Sequence, residues 1–440
     1  MSALHHVPTG AVRAPGDIAR RQSLIGQKKS GSASGLRWQV VESLPVSEAI
    51  KKQKGNWRGH IANWKTGLHH LADAGIEVIC YDLMPVLDWT RTDLKWPRPN
   101  GAQCMRFDLI DFAAFDIHIL AQPGAADDFP PDVVDQASRR HAKMSDPDRD
   151  RMLANIVFGL PGAAEQFTLD DVRTHLAEYD AISANQLRRH LIDFLPEVTP
   201  VAHSLGLRLC CHLDDPPFPL LGLPRVMSTE TDFSTFFNAV DLDANGITLC
   251  SGSFGARADN DLPGIMARLG PRVHFAHLRN VTRGTDSVRC SFYEAEHLGG
   301  NTDMVALIAA ILSEERRRRT IGQTDWNIPF RPDHGQDILD DLGKLGQPGY
   351  PTIGRMKGLA QLRGIMTALE HPLVTGAGLP GTESNFRPAK STAPDHVQAT
   401  LRVDHVQAPR AVLRPAHHRP QRHRLACQPR NPLPPGPPTT

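Results

Sequence analysis

The chain has 440 residues, of which 40% are hydrophobic and 22% charged, and its formal net charge is +1 at pH 7. That composition suits a globular protein with a large core, and the charge balance offers no general attraction to nucleic acid or to an anionic membrane. No stretch approaches the ~20 apolar residues of a membrane span, and "MSALHHVPTG" lacks the basic-then-apolar layout of a secretion signal.

Seven cysteines (Cys80, Cys104, Cys210, Cys211, Cys250, Cys290 and Cys427) are odd in number and scattered, several of them inside apolar runs. They read as reduced thiols of a cytoplasmic enzyme rather than as a disulfide framework. In chain order, "SALHHVP" is the end of a first short strand and "LRWQVVES" is the next strand. "NWRGHIANWKTGLHHLADAG" has apolar residues at helical spacing and stops at Gly75, a C-terminal signal. "IEVICYDLMP" returns to a strand. From Lys95 to about Ala202 a mostly helical insertion is expected. Its helices start at "SDPDRDRML" and "TLDDVRTHL", where Ser or Thr precedes acidic first-turn residues.

Strands resume as "GLRLCCHLDD", "GITLCSGSFG", "RVHFAHLRN" and "NIPFRPDHG", separated by helical stretches such as "DNDLPGIMARLG" and "DMVALIAAILSEERRRR". Arg316–Arg319 reads as a solvated helix end. From Thr375 to Thr440 the chain is rich in Pro, Arg and His and shows no apolar periodicity, so a disordered tail is expected there and a folded domain over residues 1–374. The tail's basic content could be read as a nucleic-acid arm, but a plain appendage is the preferred reading.

Alternation of near-continuous apolar strands with helices argues for a parallel sheet covered by helices. A (β/α)8 TIM-type barrel is preferred to an open doubly wound sheet. No Gly-rich phosphate loop follows an early strand, and polar residues recur at the C-terminal ends of several strands, where such barrels keep their chemistry. Seven strand ends are found rather than eight, so a barrel lacking its first strand, with two open edges, is expected.

Four of those ends carry His212, Cys250, His277 and Asp333. Two imidazoles, a thiolate and a carboxylate converging on one barrel end make a competent shell for Zn²⁺, Fe²⁺ or Mn²⁺, and the donor set alone does not choose among them. Singly, each has a plainer reading as a core cysteine or a satisfied strand-end polar residue; four together favour a metal site. His334, directly after Asp333, is placed to act as an acid or base. Tyr350 sits on a loop able to reach the barrel mouth. "DWTRTD" offers Trp89 and Arg91 toward a substrate, with Arg91 equally readable as a salt-bridge partner of Asp88 or Asp93. Arg331 stands beside Asp333.

These motifs together resemble the mannonate dehydratase family. The similarity is carried by "ALHHVPTG", "VVESLPV", "GIEVICYDLMPVLDWTRTDL", "GLPGAAEQFTLDDVR", "HLDDPPFPLLGLPRVMST", "HFAHLRN", "EAEHLGGNTDM", "RPDHGQDILDDL" and "PGYPTIGRMKGLAQLRGI", in order from Ala3 to Leu373. The resemblance implies a xylose-isomerase-like (β/α)8 barrel using Mn²⁺ or Fe²⁺ to dehydrate D-mannonate to 2-keto-3-deoxy-D-gluconate. It implies His212, Cys250, His277 and Asp333 as metal ligands, His334 and Tyr350 as the acid–base pair, and Trp89, Arg91 and Arg331 as substrate contacts.

Three departures accompany it. The family begins with a further strand-bearing segment, Leu213 stands where the family has proline, and "GQKKSGSASG" occupies the place where a helix would finish. The expected partner is a small sugar acid, with no nucleic acid or membrane and with homo-oligomerisation left open. Two other readings remain at this point. One is a non-catalytic remnant of such an enzyme. The other is a metal-dependent sugar isomerase or epimerase of the same barrel type, which Cys250 counts against.

Overall fold

Capping chemistry sets the element ends where the acidic first turns predict them. The structure, a computed structural model, describes residues 2–4, 6–27, 32–158, 168–344 and 346–375. The expected tail beyond Thr375 and residues 28–31 of "GQKKSGSASG" lie outside the described residues. Ser145 and Thr168 each accept a backbone N–H three residues on, while Asp148 and Asp171 reach back, closing capping boxes on helices Asp146–Ile156 and Leu169–Ala177. The helix Trp57–Asp73 stops before Gly75, whose φ of 72° lies in the left-handed region that glycine enters without strain.

The described residues form these strands in chain order: β1 (Val40–Glu42), β2 (Val78–Tyr81), β3 (Asp93–Pro97), β4 (Gln103–Phe107), β5 (Arg208–His212), β6 (Asn245–Cys250), β7 (Val273–Leu278), β8 (Asn280–Arg283), β9 (Phe292–Ala295) and β10 (Phe330–Pro332). A six-stranded sheet has the order β1-β2-β5-β6-β7-β10, every pair parallel. Ser2 extends it with a parallel bridge to Val41, its N–H on the Val40 carbonyl at 3.1 Å and its own carbonyl taking the Glu42 N–H at 3.0 Å.

All seven strand ends read from the sequence therefore meet in one curled, half-barrel sheet, arranged in the order in which they occur. Among the described residues no strand pairs with the outer edge of β10. A cleft of about 540 Å³ lies beside that edge, lined by Val40, Phe275, Ile311, Trp326, Ile328 and Phe330.

A second, antiparallel sheet has the order β3-β4-β9-β8. This corrects the expected helical insertion, whose first residues form the β3–β4 hairpin before helices take over. The turn was present in the sequence as Pro99-Asn100-Gly101: Gly101 has a φ of 84° and donates to the Arg98 carbonyl at 3.0 Å. A second correction concerns Arg316–Arg319. Arg318 is fully buried, donating to Glu314 and to the Gly270 and Val273 carbonyls, while its three neighbours stay exposed.

Helices Trp57–Asp73 and Ala184–Ser204 cover the β1–β2–β5 side of the sheet. Trp64 meets Phe194 edge-to-face at 5.3 Å between ring centroids and Tyr81 at 6.0 Å. Inside the sheet's curl, Val40, Val78, Cys80, Cys210 and Phe275 pack as a separate apolar cluster. The six described cysteines are buried and unbridged. No helix among the described residues is long and apolar enough to cross a membrane.

The aromatic contact between helix and sheet yields the first prediction. Phe194→Ala should cost about 3–5 kcal/mol of unfolding free energy, measured by urea denaturation. A loss below about 1 kcal/mol would contradict the packing described.

Candidate metal centre and active site

Parallel pairing brings the strand ends together. β5, β6, β7 and β10 are consecutive neighbours, with Cys250 registered opposite His277 and His277 opposite Arg331. The result is a cavity of about 390 Å³, within the ~300–1,000 Å³ range of small-molecule sites, lined among others by Glu42, Trp89, His212, Asp333, His334 and Tyr350.

One potential donor atom each from His212, Cys250 and His277 falls within 4.8 Å of the other two. His212 Nδ1 donates to the Leu213 carbonyl at 2.7 Å, which turns Nε2 toward His277 Nδ1, 3.1 Å away. That carbonyl belongs to the residue that departs from the family pattern, and a backbone oxygen serves whatever side chain stands there. Burial alone would raise the Cys250 thiol, but Arg279, His212 and His277 hold it well below the usual thiol range. Burial would lower His212, yet its hydrogen bond to Cys250 and that group's charge carry it up to about 10. One cysteine sulfur and two imidazoles are a donor set that gives up protons to a divalent cation, so the residues present fit a metal ion.

Asp333, just past β10, stands at the margin of this group, with Oδ2 3.7 Å from His277 Nδ1. Its other contacts are Arg279 Nε at 3.1 Å and Arg331 Nη2 at 2.5 Å. Burial would raise its carboxyl, but Arg331, His334, His277 and Arg279 hold it well below the usual range.

The acid–base candidates share the cavity. His334 and Tyr350 meet edge-to-face at 5.3 Å, and Trp89 approaches His334 at 5.9 Å. Burial pushes the Tyr350 phenol up, leaving it protonated near neutral pH. Trp89 is 4% exposed, and its Nε1 has no hydrogen-bond partner among the described residues. On the β2 side, burial and neighbouring Asp82 push Asp88, which also lines the cavity, up to about 8.

Arg91 behaves differently from the expected substrate clamp. It is 0% exposed and does not line the cavity. Its guanidinium grips Asp215 through two bonds of 2.9 and 3.0 Å and Glu294 through one of 2.9 Å. The salt-bridge reading is therefore the observed one, though with partners distant in sequence rather than Asp88 or Asp93.

Sequence reasoning missed several residues. Glu42 ends β1 as His212 ends β5, and the same strand-end argument could have found it. Its Oε1 lies 3.1 Å from His277 Nε2 and 2.9 Å from Arg331 Nη2. Burial would raise Glu42, but Arg331 and His277 hold it at about 2. Glu294 and Arg279 gave no such signal, because both are supplied by the second sheet or its approach. Glu294 Oε1 takes Arg91, Arg279 at 2.6 Å, and His334 Nδ1 at 3.1 Å. Burial would raise its carboxyl as well, and Arg279, His334 and Arg91 keep it at about 2.

Two predictions follow from these charges. Arg91→Ala strands Asp215 and Glu294 in the interior, so it should destabilise by about 3–5 kcal/mol, read by denaturant unfolding; loss of substrate affinity at full stability would contradict the buried role. Glu42 and Glu294, at about 2 when folded, compare with ~4.3 in an unfolded chain. Depressed folded values mean that their stabilisation is complete above about pH 5 and is lost as pH falls toward 2. The melting temperature should drop through that window, and a flat profile there would contradict the assignment.

The family model described as D-mannonate dehydratase (UxuA) matches residues 1–374. Mannonate dehydratase 1 of Agrobacterium fabrum is 55% identical over 381 residues, covering 86% of this chain and 93% of that protein. The mannonate dehydratase of Rhizobium meliloti is 54% identical over 371 residues, covering 84% and 91%. The crystal structure of mannonate dehydratase from Streptococcus suis serotype 2 superposes with a TM-score of 0.62 at 27% identity, covering 88% of this chain and 90% of that one. The chain belongs to the D-mannonate dehydratase family.

Proposed function

We propose that this protein is a metal-dependent hydro-lyase that converts D-mannonate to 2-keto-3-deoxy-D-gluconate and water, a step of hexuronate breakdown. The observation that carries the reading is the gathering of His212, Cys250 and His277 donors within 4.8 Å, with His212 lining the same cavity as His334 and Tyr350. In this reading His212, Cys250, His277 and Asp333 would hold Mn²⁺ or Fe²⁺. Such an ion, when bound, would supply Lewis-acid stabilisation of the charge that develops as the weakly acidic C2 proton is removed.

The chain's own groups supply the proton transfers. His334 has Nδ1 committed to Glu294, which leaves Nε2 to accept the C2 proton. Tyr350, kept protonated by burial, donates to the departing 3-hydroxyl. Both line the cavity with their rings 5.3 Å apart, so one bound substrate can touch both. Trp89 supplies an apolar wall for the sugar carbons. Arg331, tied to Glu42 and Asp333, puts a positive charge at the cavity wall for the carboxylate end. We place the reaction in the cytoplasm, a reading supported by six buried, unbridged thiols.

Turnover of D-mannonate by the purified chain with Mn²⁺ or Fe²⁺ tests this directly. The expected outcome is formation of the 2-keto-3-deoxy acid, abolished by chelator and restored by metal, with Cys250→Ser weakening metal binding. Turnover indifferent to chelator, or absent with both metals, would contradict the proposal.

A further inference from the structure

The role given to His334 depends on which ring nitrogen carries its proton, and that is decided outside the barrel. We propose that Glu294 is a positioning residue for catalysis: from β9 of the second sheet it holds His334 in the Nδ1–H tautomer, so that Nε2 faces the substrate as an acceptor. The proposal rests on the reading of His334 as the base.

Three observations support it. First, Glu294 Oε1 and His334 Nδ1 are 3.1 Å apart and both side chains are buried, so no water competes for the contact. An ionised carboxylate only accepts, so the ring nitrogen facing it must be the one bearing hydrogen. Second, His334 lines the cavity, and its contact with Glu294 occupies Nδ1 alone, leaving Nε2 on the other side of the ring. Third, Glu294 is itself immobilised. Arg91 and Arg279 both donate to the same oxygen, and the Gln336 amide donates to the Glu294 backbone carbonyl at 3.0 Å. The imidazole is thus held by a carboxylate that cannot turn away.

This gives the antiparallel sheet a function. β9 pairs with β4 and β8, none of which contributes a strand end to the metal group, yet it delivers the carboxylate that fixes the base. The logic is that of an acid–histidine pair, in which losing the orienting carboxylate costs up to ~10⁴ in kcat because the wrong tautomer faces the substrate.

The test uses the full chain with Glu294→Leu, which keeps comparable bulk and removes the oxygen that His334 Nδ1 faces. The expected result is a kcat reduced by about 10²–10⁴, with KM for D-mannonate and Mn²⁺ affinity each within threefold of wild type. In metal-free protein labelled with ¹⁵N-histidine, the His334 resonances should report Nδ1–H in wild type and a shift toward Nε2–H in the variant, which a merely structural role would not produce. Glu294→Asp retains charge for the arginines but withdraws from Nδ1, and it should reproduce the kcat loss where Glu294→Leu folds poorly.

Wild-type-like kcat in either folded variant, or an unchanged tautomer, would overturn the proposal. A wild-type chain inactive on D-mannonate would instead refute the functional reading, and the tautomer comparison would still decide whether Glu294 holds His334.

Discussion

Four buried charges tie the barrel sheet to the rest of the molecule. Arg91, from the loop after β2, binds Asp215, from the loop after β5, and Glu294 on β9; Arg279, between β7 and β8, binds the same two carboxylates. Each of the four is nearly sealed from solvent. A buried ion pair gains little over a well-packed apolar core, but breaking one is expensive because the partner is left uncompensated. The network therefore joins the two sheets through four charges, none of which can be removed without stranding its partners. Arg279 also reaches Asp333 at 3.1 Å, and Glu294 reaches His334, so the spacing of the ring sets the spacing of a proposed metal ligand and of the proposed base. Gly252 is required for this: a Cβ there would lie 2.4 Å from Arg279 Nε, inside any tolerable contact.

Much of the catalytic end was legible because parallel sheets are simple. A strand buried on both faces is an apolar run, and the residue where the run stops is where the chain reaches the barrel mouth. His212, Cys250, His277 and Asp333 all sit at such stops, and parallel pairing needs no further information to bring them together. The same rule correctly counted seven strand ends, including the first, which enters the sheet through the single residue Ser2. Glu42 obeyed the rule and was passed over because a glutamate ending a three-residue strand resembles an ordinary solvated end.

What was illegible depended on long-range pairing. β3 and β4 carry tryptophan, proline and arginine in place of clean alternation, and they are stabilised by β9, about 190 residues away in sequence. Arg91 could be assigned local partners only, since nothing near it revealed Asp215 or Glu294. Arg318 was indistinguishable from three neighbouring arginines until helix packing aimed it at the Gly270 and Val273 carbonyls. In each case the deciding contact spans tens of residues or more, whereas periodicity reports on only a few turns.

In the proposed site, one ion is held by the strand ends through both imidazole and thiolate. X-ray absorption at the metal edge of the Mn²⁺- or Fe²⁺-loaded chain tests that most directly. One sulfur and two imidazole nitrogens are expected among the nearest scatterers, with the sulfur lost in Cys250→Ser. A first shell of oxygen and nitrogen alone in the wild-type chain would contradict it.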